Sequence, residues 1–202
     1  QTCALPILIS HRSRLMAALP TGGGMLALFT DAATAAALLE EQRSPLVIAA
    51  ENGPANVVLS GPLEAIAALE EPLLARGIGS KRLRVSHAFH SPLMEPMLAD
   101  FRQLAAAIRY HEPQIPIVSN ISHGPVGSEM ASPDYWCRHI LAPVLFGRSL
   151  QTLRAQGVDA YLEIGPRPTL IEMARAGDPD PRARWLASLR PGRSDKIGRA
   201  HV

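Results

Sequence analysis

Between Gly24 and Ser86 the chain alternates strand-like and helix-like apolar spacing in one fixed order, and that order is the tightest constraint on its fold. Met25 to Phe29 is a short apolar run with strand character. Asp31 can cap an Ala-rich helix ending near Glu41, because its carboxylate can accept a first-turn amide. Leu46–Ala50 and Asn56–Ser60 are two further strands, joined through Glu51-Asn52-Gly53-Pro54, a strong turn signal. Ser60 and Pro62 open a second helix with Leu63, Ile66, Leu69 and Leu73 along one side, and Pro72 is expected to bend or divide it. Gly77 ends that helix, and Ser80–Val85 is the fourth strand.

Strand, helix, strand, strand, helix, strand is the ferredoxin-like order, and ~60 residues suffice for a compact subdomain. The flanks read differently. Leu8, Arg12, Leu15, Met16 and Leu19 have helical spacing, stopped by Pro20 and Gly22-Gly23-Gly24. Arg12 and Arg14 lie two apart on that helix, so they point away from each other. Beyond Val85, a strand end, a short turn and a helix start follow. Ser91 is placed to cap and Pro92 to occupy the first helical position. Met94, Met97, Leu98, Phe101, Ala105 and Ile108 form one apolar face of a helix running to Arg109. Ile115–Ser119 reads as a strand, Tyr135–Leu141 and Phe146–Gln156 as helices, Val158–Ile164 as a buried-type strand and Thr169–Arg175 as a last helix. Strands alternating with helices imply a mostly parallel sheet. The expected class is therefore α/β, with the small unit (24–86) inserted into a larger one (8–23 and 87–194).

The composition excludes several functions. Of 202 residues, 47% are apolar, and no apolar run is long enough to span a membrane. A formal charge of +2, scattered Lys and Arg, and few aromatics argue against nucleic-acid binding. Cys3 and Cys137 form no disulfide framework and no secretory signal is visible, so a cytoplasmic location is expected. The two ends have a further peculiarity. Ile197–Val202 can be encoded by a DNA string whose reverse complement, read one base on, encodes Thr2-Cys3-Ala4-Leu5-Pro6. Complementary ends of this kind read as translated sequencing adapter. Residues 1–7 and 195–202 are accordingly set aside, and the rest is expected to be an internal fragment.

His87 and His90 sit at a strand-to-helix junction, where α/β proteins favour active sites. His90 could act as a general base for a nucleophile, given a Ser or Cys within reach and a third group to orient its ring. No Gly-x-Ser-x-Gly elbow occurs in the 202 residues. Ser91 is expected to be used in capping, and Cys137 to be structural. The His-x-x-His spacing invites a zinc reading, but no third ligand is evident. Gly22-Gly23-Gly24 lacks the Lys-Ser/Thr of a phosphate loop.

His87-Ala88-Phe89-His90-Ser91-Pro92 is preceded by Asn52-Gly53-Pro54 and followed by Pro133-Asp134-Tyr135-Trp136 and Glu163-Ile164-Gly165-Pro166. Together they resemble the acyltransferase domain of type I modular polyketide synthases, relatives of malonyl-CoA:acyl carrier protein transacylase. Arg12-Ser13-Arg14-Leu15-Met16 resembles that family's Arg-Gly-Arg-Leu-Met run, with Ser13 in place of Gly. The likeness extends from about Ser10 to Arg175.

The resemblance implies an α/β-hydrolase-like large subdomain with an inserted ferredoxin-like one. It also implies two-step malonyl transfer from malonyl-CoA to the phosphopantetheine thiol of an acyl carrier protein, with neighbouring synthase domains as partners and no bound cofactor or metal. By the same resemblance His90 is the base of a Ser/His dyad, and a backbone carbonyl near Leu145 orients its ring. Arg12 grips the free carboxylate of the extender unit, a task that suits a planar guanidinium. Phe89 leaves no room for a methyl branch and so favours malonyl, while His87 supports the pocket wall. Asn52 joins the substrate-binding set, with turn stabilisation as its plainer role. The family's nucleophile elbow precedes the position matched by Arg12 and is not in this sequence, so the 202 residues alone are expected to be inactive. The competing expectations are a non-catalytic carrier-protein docking module and a metal-binding domain.

Overall fold

A computed structural model describes residues 4–177 and 181–189. Most of the segments set aside at the two ends, 1–7 and 195–202, lie outside the described residues. The chain opens with helix α1 (Ala4–Ala17), followed by strand β1 (Gly23–Leu28), α2 (Ala32–Glu41), β2 (Val47–Gly53), β3 (Asn56–Pro62), α3 (Leu63–Ala75) and β4 (Ser80–Arg82). The four strands form one antiparallel sheet in the order β2-β3-β1-β4. Helices α2 and α3 bury Leu38, Ile66, Leu69 and Leu73 against Leu26, Leu28, Val57 and Leu59. Asp31 caps α2 as expected, its carboxylate accepting the Thr34 amide at 2.9 Å.

One local expectation fails here and a second is narrowed. Ser60 does not open α3; it lies inside β3, fully buried, and Pro62 stands at the cap without a side-chain bond. Pro72 does not divide α3, which runs unbroken to Ala75. Ile66 and Leu69 before the proline and Leu73 after it all pack on the sheet, so burial on both sides holds the helix together.

A second apolar cluster lies outside the sheet. A 3-10 helix (Pro92–Met97) leads into α4 (Leu98–Ala106); β5 (Ile117–Val118) and β6 (Pro125–Val126) make a small hairpin; α5 (Pro133–Leu141) and α6 (Phe146–Ala155) follow. Leu8 and Met16 of α1, Met94, Met97, Phe101, and Cys137 and Ile140 of α5 pack together. The expected helix start takes 3-10 form, with Pro92 at its first turn and Pro96 inside it.

The larger, mostly parallel sheet is not found among the described residues. The parallel pairing there consists of β7 (Ala160–Glu163) with β8 (Arg184–Ala187), and a bridge between Ala50 and Val144. Helix α7 (Thr169–Gly177) lies between β7 and β8 in the chain. The buried-type reading of 158–164 is also corrected: Leu162 is 59% and Ile164 83% exposed. The side chains of β7 alternate between partly buried and exposed, so one face of this two-stranded sheet is open. Glu163 caps α7, its two carboxylate oxygens accepting the Leu170 and Ile171 amides at 3.2 and 2.9 Å.

Candidate active site

The glycine run after α1 gives the sheet close access to the histidine segment. A Cβ on Gly23 would fall 2.8 Å from the Ala88 Cβ and 2.9 Å from its amide nitrogen. Only glycine allows β1 to touch the segment this closely. Ser91 closes the turn from within: its hydroxyl donates to the Ala88 carbonyl at 2.7 Å and accepts the Leu93 amide at 3.3 Å. Inside this bracket His90 has φ +58°, a left-handed conformation uncommon for a residue with a Cβ.

The His90 ring has a defined direction. Its Nδ1 lies 2.8 Å from the Ala142 carbonyl. A carbonyl only accepts, so Nδ1 carries the proton and the neutral ring presents its lone pair at Nε2. That is the tautomer a base needs if Nε2 is to take a proton. Burial lowers the His90 pKa, the Ala142 bond raises it and the Arg12 charge lowers it, for a net depression.

The orienting carbonyl belongs to Ala142, and the expectation of Leu145 is corrected. Leu145 stands at the start of α6, where its carbonyl accepts both the Ser149 amide and the Ser149 hydroxyl, each at 2.9 Å. Ala142 precedes a proline, which forces it out of helical conformation (ψ 146°) and leaves its carbonyl outside both helices. The next residues are tied to the sheet: the Val144 amide donates to Ala49 at 2.9 Å, and the Val144 carbonyl accepts from Glu51 at 2.8 Å.

Arg12 is half-buried on α1, and Arg14 points to solvent as their spacing predicted. Among the described residues no carboxylate pairs with Arg12; its Nη1 instead donates to Nδ1 of His139 at 3.1 Å. His139 Nε2 lies 3.1 Å from the Asn120 Oδ1, and its ring centroid is 6.5 Å from that of His90. Burial, then the charges of Arg12 and His90, lower the His139 pKa to about 4. Sequence reasoning missed His139 and Asn120. The available signal was register: His139 falls four residues after Tyr135, on the same side of an amphipathic helix.

The remaining predicted residues separate. His87 is buried, with Nε2 donating to the Leu19 carbonyl at 3.0 Å and Nδ1 2.9 Å from the Ser86 hydroxyl. It anchors the segment to the end of α1, and the two rings of the His-x-x-His pair take different partners. The Phe89 ring lies 6.2 Å from that of His87 and packs on the second apolar cluster. Asn52 is not brought to His90. Its amide donates to Asn56 Oδ1 at 3.2 Å within the β2–β3 hairpin, which abuts α6 and α7. Two hollows of about 330 and 530 Å³ flank this hairpin, and neither is lined by His90 or Arg12.

The acyl transferase domain family matches residues 6–198. This chain belongs to that family. It is 40% identical over 210 residues to polyketide synthase GfsA of Streptomyces halstedii, a match that takes in 99% of this chain and 3% of that protein. Mycoketide-CoA synthase of Mycobacterium tuberculosis is 40% identical over 194 residues, covering 94% of this chain and 4% of the synthase. The acyltransferase domain from the second module of the salinomycin polyketide synthase superposes with a TM-score of 0.90 at 38% identity, covering 95% of this chain and 45% of that one. The malonyl CoA-acyl carrier protein transacylase of Clostridium perfringens shares the fold at TM-score 0.83 and 22% identity. The class is α/β, as expected. The chain spans a small part of the synthases it matches and under half of the salinomycin domain. Among the described residues no helix is long and apolar enough to cross a membrane.

Proposed function

We propose that this chain forms part of a cytoplasmic polyketide synthase domain that moves a malonyl unit from malonyl-CoA to the phosphopantetheine thiol of an acyl carrier protein. The nucleophile is a Ser on an elbow encoded upstream of these 202 residues. In the first half-reaction His90 Nε2 takes the Ser proton, the Ser oxygen attacks the thioester carbonyl, and the CoA sulfur leaves with that proton. The carrier thiol repeats the sequence on the acyl-enzyme. Arg12 binds the free carboxylate of the malonyl group, and Phe89 disfavours a branch on its α-carbon. One added methyl in a pocket usually discriminates by only ~1–3 kcal/mol, so this preference is moderate. Residues 24–86 serve as the ferredoxin-like small subdomain of an α/β-hydrolase-like domain. No bound cofactor takes part.

One observation carries the reading. A half-buried guanidinium without a described carboxylate partner shares a cluster with a histidine whose Nδ1–H is fixed on a carbonyl, leaving Nε2 available. The test joins this chain to an upstream half that carries the Ser elbow. Carrier acylation is expected to fall about 100-fold or more in His90→Ala, the usual contribution of a general base. Acylation unchanged in that variant would overturn the assignment. The 202 residues alone are expected to transfer no malonyl group.

A further inference from the structure

The Arg12–His139–Asn120 chain admits one self-consistent proton arrangement. A guanidinium only donates, so the His139 Nδ1 facing it at 3.1 Å must offer a lone pair. The neutral ring then carries its proton on Nε2, which donates to the Asn120 Oδ1 at 3.1 Å. Asn120 is itself fixed, its backbone carbonyl accepting the Leu145 amide. The ring is confined by Tyr135 and Trp136, with centroids 6.1 and 5.7 Å away. Helix α5 therefore presents to α1 a neutral acceptor in a fixed direction.

We propose that His139 is the positioning residue of the carboxylate clamp, holding one Nη of Arg12 so that the remaining guanidinium hydrogens face an acyl carboxylate. This rests on the function proposed above. A carboxylate at position 139 would hold Arg12 equally well but neutralise it, removing the charge that attracts the substrate. A neutral acceptor aims the fork and leaves its charge available. Burial opposes protonation of His139 first; the charged group facing the ring is Arg12 on α1 and the titratable one is His90 on the loop before the 3-10 helix, and a charge on either repels a proton there. With its pKa lowered to about 4, His139 stays a neutral acceptor near neutral pH.

The completed domain with its upstream Ser half provides the test. His139→Leu is expected to raise KM for malonyl-CoA about tenfold, with kcat changed less than about threefold, and to lower the preference for malonyl over acetyl thioesters; this is the pattern of lost carboxylate binding. His139→Gln, whose side-chain carbonyl can accept from Arg12, is expected to restore most of that preference. Nitrogen-15 spectra of the histidines in the same domain are expected to show His139 protonated at Nε2 alone, losing that bias in Arg12→Ala. His90-dependent loading with an unaltered KM in His139→Leu overturns this inference and leaves the proposed function standing. A proton on Nδ1 of His139 overturns it independently of activity. Absence of His90-dependent loading overturns the proposed function and the clamp role with it.

Discussion

The two apolar cores of this chain are built from different materials. The core of the four-stranded sheet is wholly aliphatic, assembled from Leu, Val, Ile and Ala of β1, β2, β3, α2 and α3. The core shared by α1, α4 and α5 uses Met, Phe and Cys, with Tyr, Trp and Phe packed at its edge. Half-buried His90, His139 and Arg12 cluster beside the second core, and buried His87 ties the same segment to Leu19. The contrast separates two tasks. A dry aliphatic core can fix a shape but offers nothing to titrate. Soft, polarisable side chains adapt to irregular surroundings, and the site needs such surroundings for its uncharged rings.

Breaking each core in turn gives the largest expected effects. Phe101→Ala in the second core should cost about 3–5 kcal/mol and Leu59→Ala in the sheet about 2–5 kcal/mol, read from denaturant midpoints. Hydrogen exchange would sharpen the contrast: Leu59→Ala should loosen the sheet amides more than those of α5. Equal loosening everywhere would mean that the two cores unfold as one.

The next expected effect is a pH dependence confined to the second core. His90 and His139 are both held below the ordinary imidazole value, His139 at about 4. As pH falls, the unfolded chain takes up these protons first. Their contribution is therefore full above about pH 6.5, the unfolded value, and is lost progressively towards pH 4. His139→Gln should flatten the slope of stability against pH in that window. An unchanged slope would place the acid sensitivity elsewhere.

Gly147→Ala probes the contact of α6 with the β2–β3 hairpin. Its Cβ would lie 3.1 Å from the Gly53 Cα and 3.3 Å from the Gly53 nitrogen, both backbone atoms. A loss of about 1–3 kcal/mol is expected from that overpacking. The Glu51–Arg148 pair nearby is bidentate at 2.8 and 3.1 Å, with Arg148 half exposed, so it adds little that would offset this loss. The smallest effect belongs to neither core: Leu162→Ser, on the open face of β7, should shift stability by less than about 0.5 kcal/mol and improve solubility.

The sheet was legible in the sequence because its signals are local. Asp31 three residues before Thr34, the Gly53-Pro54 signal beside a turn that falls at Pro54-Ala55, and the Gly77 stop each act within a few residues of where they stand. The histidine segment was legible for the same reason through Ser91 and Pro92. The Arg12–His139 bond was not, since it joins residues 127 apart, and nothing near either one names the other. The exchange of Ala142 for Leu145 had the same origin: which carbonyl is free depends on where α6 begins, a matter of a few residues at a helix end. The parallel-sheet expectation failed because alternation of element types specifies a class of layer, whereas pairing depends on which strands are there to meet.

The left-handed backbone at His90 sets folding against chemistry at a single position. At φ +58° the chain would be most comfortable with glycine, which incurs no steric penalty from a Cβ there. Folding and chemistry thus ask for different residues at this position. If selection relaxed to stability alone, the candidate base would be among the first side chains to drift away.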